Sequence, residues 1–280
     1  MNGPSHLLTF SLRTGAAVWF VFFALYMAGR IIRSPLNLLL LLAVLVITPL
    51  ALRLLAHPAR PTGQHGLYGV VAVWQPLAAL PAAIALLLSV GWPAALLVVP
   101  WFLFTLAVAG YGLRWLAIHW DVTEERVIGA GLIMVAVGGF WLLFARAGRP
   151  LLAFGEPLVT LTAIHFHYIT LAALVIGGMT GRFLRQPGSA AFRLYRAAAA
   201  GLILAPPLVA LGITFSIALE AIATILLALS LSLLAGITLR YVVPALGLSW
   251  PAALLALSGI SVVAAMLFAT VYAVGRVTGA

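Results

Sequence analysis

The chain has 280 residues, 65% hydrophobic and 7% charged, with a mean hydropathy of +1.21. So little polarity excludes a soluble globular domain of this size. The fifteen basic residues, all arginine, against five acids read as span-end topology signals and headgroup anchors rather than a nucleic-acid surface.

In windows of about 19 residues the sequence resolves into about nine apolar spans, so the expected fold is all-α: a polytopic transmembrane helical bundle forming one integral membrane domain over 1–280. The first span, near 15–29, follows Arg13 and precedes Arg30. That resembles a signal peptide, but no small-x-small cleavage site follows, and it is read as a short span. The others lie near 35–56, 67–90, 93–113, 126–145, 157–180, 197–218, 221–239 and 250–274. An eight-span alternative joins the seventh and eighth, whose division rests on length and on Glu220.

Pro76 and Pro81 in the third span, Pro100 in the fourth and Pro206-Pro207 in the seventh are expected to break their helices and leave carbonyls needing partners at membrane depth. Such breaks shape cavities in transporters and are also ordinary kinks. Trp-Pro-Ala-Ala-Leu-Leu occurs twice, at 92–97 and 250–255, each time opening a span. Nothing around the two copies aligns, and Trp-Pro suits a helix start at the interface anyway.

Assigning loops alternately puts Arg13, Arg53, Arg60, Arg114, Arg126, Arg182, Arg185, Arg193, Arg196 and Arg240 on one side. Arg30, Arg33, Arg146, Arg149 and Arg276 fall on the other. This ten-to-five bias predicts a bacterial inner-membrane protein with its N-terminus in the cytoplasm. The four arginines of 181–196 have no acidic counterweight within that loop. Arg146 and Arg149 are expected to snorkel, and Asp121, Glu124 and Glu125 to form a solvated loop without chemistry.

The sixth span carries the candidate site. Between Pro157 and Thr180 it has no charge unless a histidine is protonated, yet it holds His165, His167 and Tyr168 near its middle. Burying such groups without partners is costly, so intramembrane histidines are either hydrogen-bonded structural groups or handlers of a substrate or proton. At about 100° per residue, Thr162, His165 and Tyr168 share one face. Glu156, Thr160, His167 and Thr170 share the opposite face. Polar groups on both faces place this helix at the centre of the bundle.

The Glu156 stripe runs from the external surface to His167, which makes His167 the functional candidate. The smaller cluster around His165 is expected to be satisfied internally. Glu156 before Pro157 also has an ordinary role, a carboxylate at a helix start. Glu220 either marks a turn or is buried, and buried it would be functional. The two histidines point roughly 200° apart and do not chelate one metal, so no metal and no cofactor is expected. Cysteine is absent, which removes thiolate ligands.

The runs Gly138-Gly139-Phe140-Trp141-Leu142, Arg146-Ala147-Gly148-Arg149-Pro150-Leu151, Phe154-Gly155-Glu156-Pro157 and Leu161-Thr162-Ala163-Ile164-His165-Phe166-His167-Tyr168 resemble the YndJ-like family of bacterial membrane proteins. The resemblance is densest over roughly 105–185. It implies a multi-span membrane protein in which the sixth span matters, and carries no biochemical activity with it.

The sequence therefore points to a transporter or permease-like protein. A substrate or proton would be contacted through His165, His167 and Tyr168, with Glu156, Thr160 and Glu220 as further candidates. The alternative is an intramembrane enzyme acting on a lipid or isoprenoid by His/Glu acid–base chemistry. A structural or sensing subunit without turnover is a third reading. The expected partners are the lipid bilayer and a small-molecule or lipid substrate, with no nucleic acid.

Overall fold

The computed structural model describes residues 3–30, 34–56, 64–152, 154–185 and 188–279. Arg33, His57 and Arg60, and the side chain of His65, lie outside the described residues. Nine described helices are long and apolar enough to cross a membrane: α1 Pro4–Met27, α2 Pro35–Leu54, α3 Gly66–Leu87, α4 Trp92–Ile118, α5 Thr123–Ala147, α6 Leu158–Phe183, α7 Ala190–Phe215, α8 Ile217–Ala245 and α9 Trp250–Thr278. The described residues contain no strand.

One boundary differs instructively from the hydropathy reading, and one division of it is borne out. α1 begins at Pro4, eleven residues before the apolar window, with proline at its first turn. Its early polar residues lowered the window without stopping the helix, because Ser11 finds a buried acceptor in Gln75. α7 and α8 are separate helices. Ser216 leaves helical geometry at φ −160°, ψ 115°, and its hydroxyl accepts the Leu219 N–H at 3.3 Å, an N-cap with Glu220 in the first turn behind it. Gly212 lets this hairpin close, since a Cβ there would meet the backbone of Glu220.

The prolines expected to break helices do not. Pro76 and Pro81 lie inside α3, Pro100 inside α4, and Pro206 and Pro207 inside α7. Among the described residues the irregularities are instead three π turns, at Ala43–Ile47 in α2, Phe166–Ala172 in α6 and Thr238–Val242 in α8. Two have a proline just beyond them, Pro49 and Pro244, whose rings would strike the carbonyls of Leu45 and Arg240 in a regular helix. Widening by one residue relieves that clash. The π turn of α6 has no such proline.

Two compact units group the contacts. The first comprises residues 1–118 and 129–175. Here the π turns of α2 and α6 touch each other. Gly15 of α1 lies against the Leu45 backbone of the α2 turn, so close that a Cβ would collide with the carbonyl. Gln75, fully buried, donates its amide to the Val44 carbonyl at 3.2 Å and accepts from Ser11, tying α3 to α1 and α2. Arg146 does not snorkel: it is buried and donates to the Leu88 carbonyl at 2.6 Å, satisfying an acceptor at the end of α3.

The second unit comprises residues 119–128 and 176–280. Its organising feature corrects the reading of Glu124 and Glu125 as solvated. Both are buried in the first turn of α5. Arg182 of α6 grips both oxygens of Glu125 at 2.7 Å, and Arg185 reaches Glu124 at 3.3 Å. Two of the four arginines of 181–196 thus have acidic counterweights, supplied from the first turn of α5. Beside them Tyr195 is fully buried, its ring occupying space that a side chain at Gly181 would need.

Candidate functional site

The π turn of α6 positions the polar residues of the first unit. In a π turn each amide pairs five residues back instead of four, so facing angles computed for a regular helix do not carry through Phe166–Ala172. Side chains engage the carbonyls on its rim: His167 uses that of Ala163, and the Thr170 hydroxyl donates to that of Phe166.

His167 is fully buried and held at both nitrogens. Its Nδ1 lies 2.8 Å from the Ala163 carbonyl oxygen, which only accepts, so Nδ1 carries the hydrogen. Its Nε2 lies 3.2 Å from the indole Nε1 of Trp101, which only donates, so Nε2 is bare. The partners therefore assign one neutral tautomer. The ring centroids are 6.0 Å apart and the planes inclined by 21°, so the rings meet edge to edge along this bond. Gly138 of α5 makes the close approach possible, because a Cβ there would stand 2.8 Å from His167 Nδ1. Gly139 does the same for Thr105 of α4.

His165 is the opposite case. Its Nε2 is buried and has no hydrogen-bond partner among the described residues, and its ring meets Phe166 edge-on at 5.5 Å. The internally satisfied cluster expected around it does not form. Thr162 donates to the Leu158 carbonyl at 2.8 Å, and the Tyr168 hydroxyl leaves the helix to donate to the Leu39 carbonyl of α2 at 2.9 Å. An unpaired imidazole nitrogen away from water is costly, so its retention calls for a role.

Of the expected stripe, Thr160, His167 and Thr170 are buried. Glu156 is exposed in the segment before the helix. Neither His167 nitrogen is available to it. Nor is α6 enclosed on all sides: Leu161 and Ile176 are 43% and 46% exposed, and α5 is the most buried of the nine helices. Its polar groups find partners on some faces while apolar residues face outward on others.

Glu220 marks the turn and is not a buried lone charge; it pairs with Arg276 at 3.3 Å. Among the described residues no three histidines or acids gather as metal ligands. The sequence reading missed Trp101 and Gly138. A tryptophan in mid-span and a Gly-Gly pair in the next span were the available signals, since both suit close interhelical contact around a polar group.

The sequence profile of the family described as YndJ-like protein matches residues 38–280, well beyond the stretch where the resemblance is densest. An uncharacterized membrane protein, YndJ of Bacillus subtilis (strain 168), is 35% identical over 152 residues. That alignment covers 53% of this chain and 26% of the relative, so the chain matches about a quarter of that protein's length. No solved structure matches. The chain belongs to the YndJ-like family and is a multi-pass membrane protein.

Proposed function

We propose that this member of the YndJ-like family is a permease-like transporter of the bacterial cytoplasmic membrane, with its N-terminus inside. In this reading the π turn of α6 handles a polar substrate or a proton, His165 makes the contact, and His167 and Tyr168 hold the turn in place. One observation carries the reading: α6 has a π turn with no proline to cause it, and at its edge stands a buried imidazole nitrogen with no partner among the described residues. Isolated π turns recur at functional sites, and an intramembrane ionisable group without a structural bond is costly to keep for packing alone. Glu156 and Thr160 then flank the approach from the exposed end of α6. The orientation rests on the ten-to-five arginine bias.

An intramembrane enzyme using His/Glu acid–base chemistry is less well supported, because Glu220 is engaged by Arg276 and both His167 nitrogens are occupied. Proteoliposomes with a trapped pH-sensitive dye test the transport reading. After a pH step the parent should relax faster than protein-free liposomes, and His165→Ala should slow it at unchanged melting temperature. Relaxation no faster than in protein-free liposomes would remove proton handling. Equal rates for parent and His165→Ala would remove His165.

A further inference from the structure

A cavity away from the histidines lies in the first unit, between the start of α1 and the end of α2. It has a volume of about 720 Å³. Ser5, Thr9 and Arg13 descend one row of α1 at four-residue spacing, with His6 beside them, and Arg53 faces in from α2. Leu50 and Leu54 supply an apolar side. Among the described residues no carboxylate lines the pocket.

Three features make this more than two span-end arginines. The walls are anchored: Leu8, Leu52 and Leu55 are fully buried just behind the lining, and Gly15 locks α1 onto the α2 backbone one turn further along. The charge is uncompensated: neither Arg13 nor Arg53 is ion-paired among the described residues, while Glu124, Glu125 and Glu220 are committed to Arg185, Arg182 and Arg276. The lining is also amphipathic, combining two guanidiniums and two hydroxyls with two leucines.

We propose that this pocket binds a phosphate-bearing anion, with Arg13 and Arg53 clamping the phosphate from two helices. Guanidinium forks match phosphate oxygens in geometry and charge, and basic pockets between membrane helices on the cytoplasmic side suit anionic headgroups. The phosphate would enter between the arginines, and the leucines would receive the apolar part of a lipid that carries it. A free phosphate would use the arginine side alone.

The full chain in neutral detergent tests this by thermal melting. Short-chain phosphatidylglycerol, short-chain phosphatidylcholine and inorganic phosphate are titrated separately. Phosphatidylglycerol should raise the melting temperature of the parent, and Arg13→Gln or Arg53→Gln should weaken the half-maximal concentration roughly tenfold or abolish the shift. Thr9→Phe, which fills the pocket and keeps both charges, should reduce the shift too. Arg240→Gln, an exposed arginine elsewhere, should leave it intact. A shift from phosphatidylglycerol alone identifies a lipid headgroup. An equal shift from inorganic phosphate, lost in the arginine variants, identifies a free anion at the same site. No shift in the parent, an unchanged shift in both arginine variants, or an equal loss in Arg240→Gln overturns the proposal.

Discussion

The indole N–H of Trp101 points at the bare Nε2 of His167 from 3.2 Å, joining α4 to the π turn of α6 inside a fully buried contact. Trp101→Phe keeps a smaller aromatic ring and removes the donor, leaving that nitrogen unpaired. The expected cost is about 1–3 kcal/mol, read as a lower melting temperature in detergent. His167→Ala should cost at least as much, because it opens a cavity and abandons the Ala163 carbonyl as well. An unchanged melting temperature in Trp101→Phe would mean the contact does not hold the turn.

Gly138→Ala forces a methyl to within 2.8 Å of the His167 ring and 3.0 Å of Phe166. Overpacking of this kind costs about 1–3 kcal/mol. Gly110→Ala in α4 is the matched control, since a Cβ there meets nothing within 4 Å. The first variant should melt well below the parent and the second should not. Similar melts for both would remove the tight α5–α6 contact.

His165→Phe replaces an imidazole with an unpaired buried nitrogen by an apolar ring of similar shape. Folding should be unaffected or improved, because the desolvation cost of that nitrogen disappears. Under the proposed function the same variant loses transport. A clear fall in melting temperature would show that His165 has a structural partner.

Arg182 and Glu125 form a two-point ion pair with side chains 22% and 11% exposed. Removing one member strands the other in a largely buried site, and Arg182→Gln should cost about 3 kcal/mol. The double change Arg182→Met with Glu125→Leu should recover much of that loss, because it strands no charge. A double variant as unstable as the single one would indicate that the charges, rather than the filled volume, hold this end of the second unit.

The proposed orientation is tested by cysteine labelling in this cysteine-free chain. Ser189 is a poor reporter because its hydroxyl caps α7 by accepting the Phe192 N–H at 3.1 Å. Ala190 and Leu152 are exposed and lie in the loops before α7 and before α6 or at their margins. In intact cells Leu152→Cys should react with a membrane-impermeant thiol reagent and Ala190→Cys only after permeabilisation. The reverse pattern would invert the topology.

Composition and pattern alone determined the class of this protein. Apolar runs longer than a bilayer is thick, punctuated by arginine, leave no soluble alternative, and helix existence is a local property that each run carries by itself. The polar groups in the middle of α6 were legible for the same reason, since a polar residue in an apolar run stands out without any partner being known. Which histidine is paired was not legible. That depends on a π turn whose extra residue rotates everything after Phe166, and on Trp101 and Leu39, which come from helices distant in sequence.

The same limit explains the acids. Glu124 and Glu125 look solvated beside Asp121 in the sequence, and only tertiary packing brings Arg182 and Arg185 against them. Prolines misled in the opposite direction. A proline's cost is local, but whether a helix absorbs it or widens depends on what surrounds the freed carbonyl, which is why Pro76 and Pro100 sit in continuous helices while π turns precede Pro49 and Pro244. Span composition is set residue by residue along the chain; hydrogen-bond partners across helices are set by packing, and only the folded structure contains them.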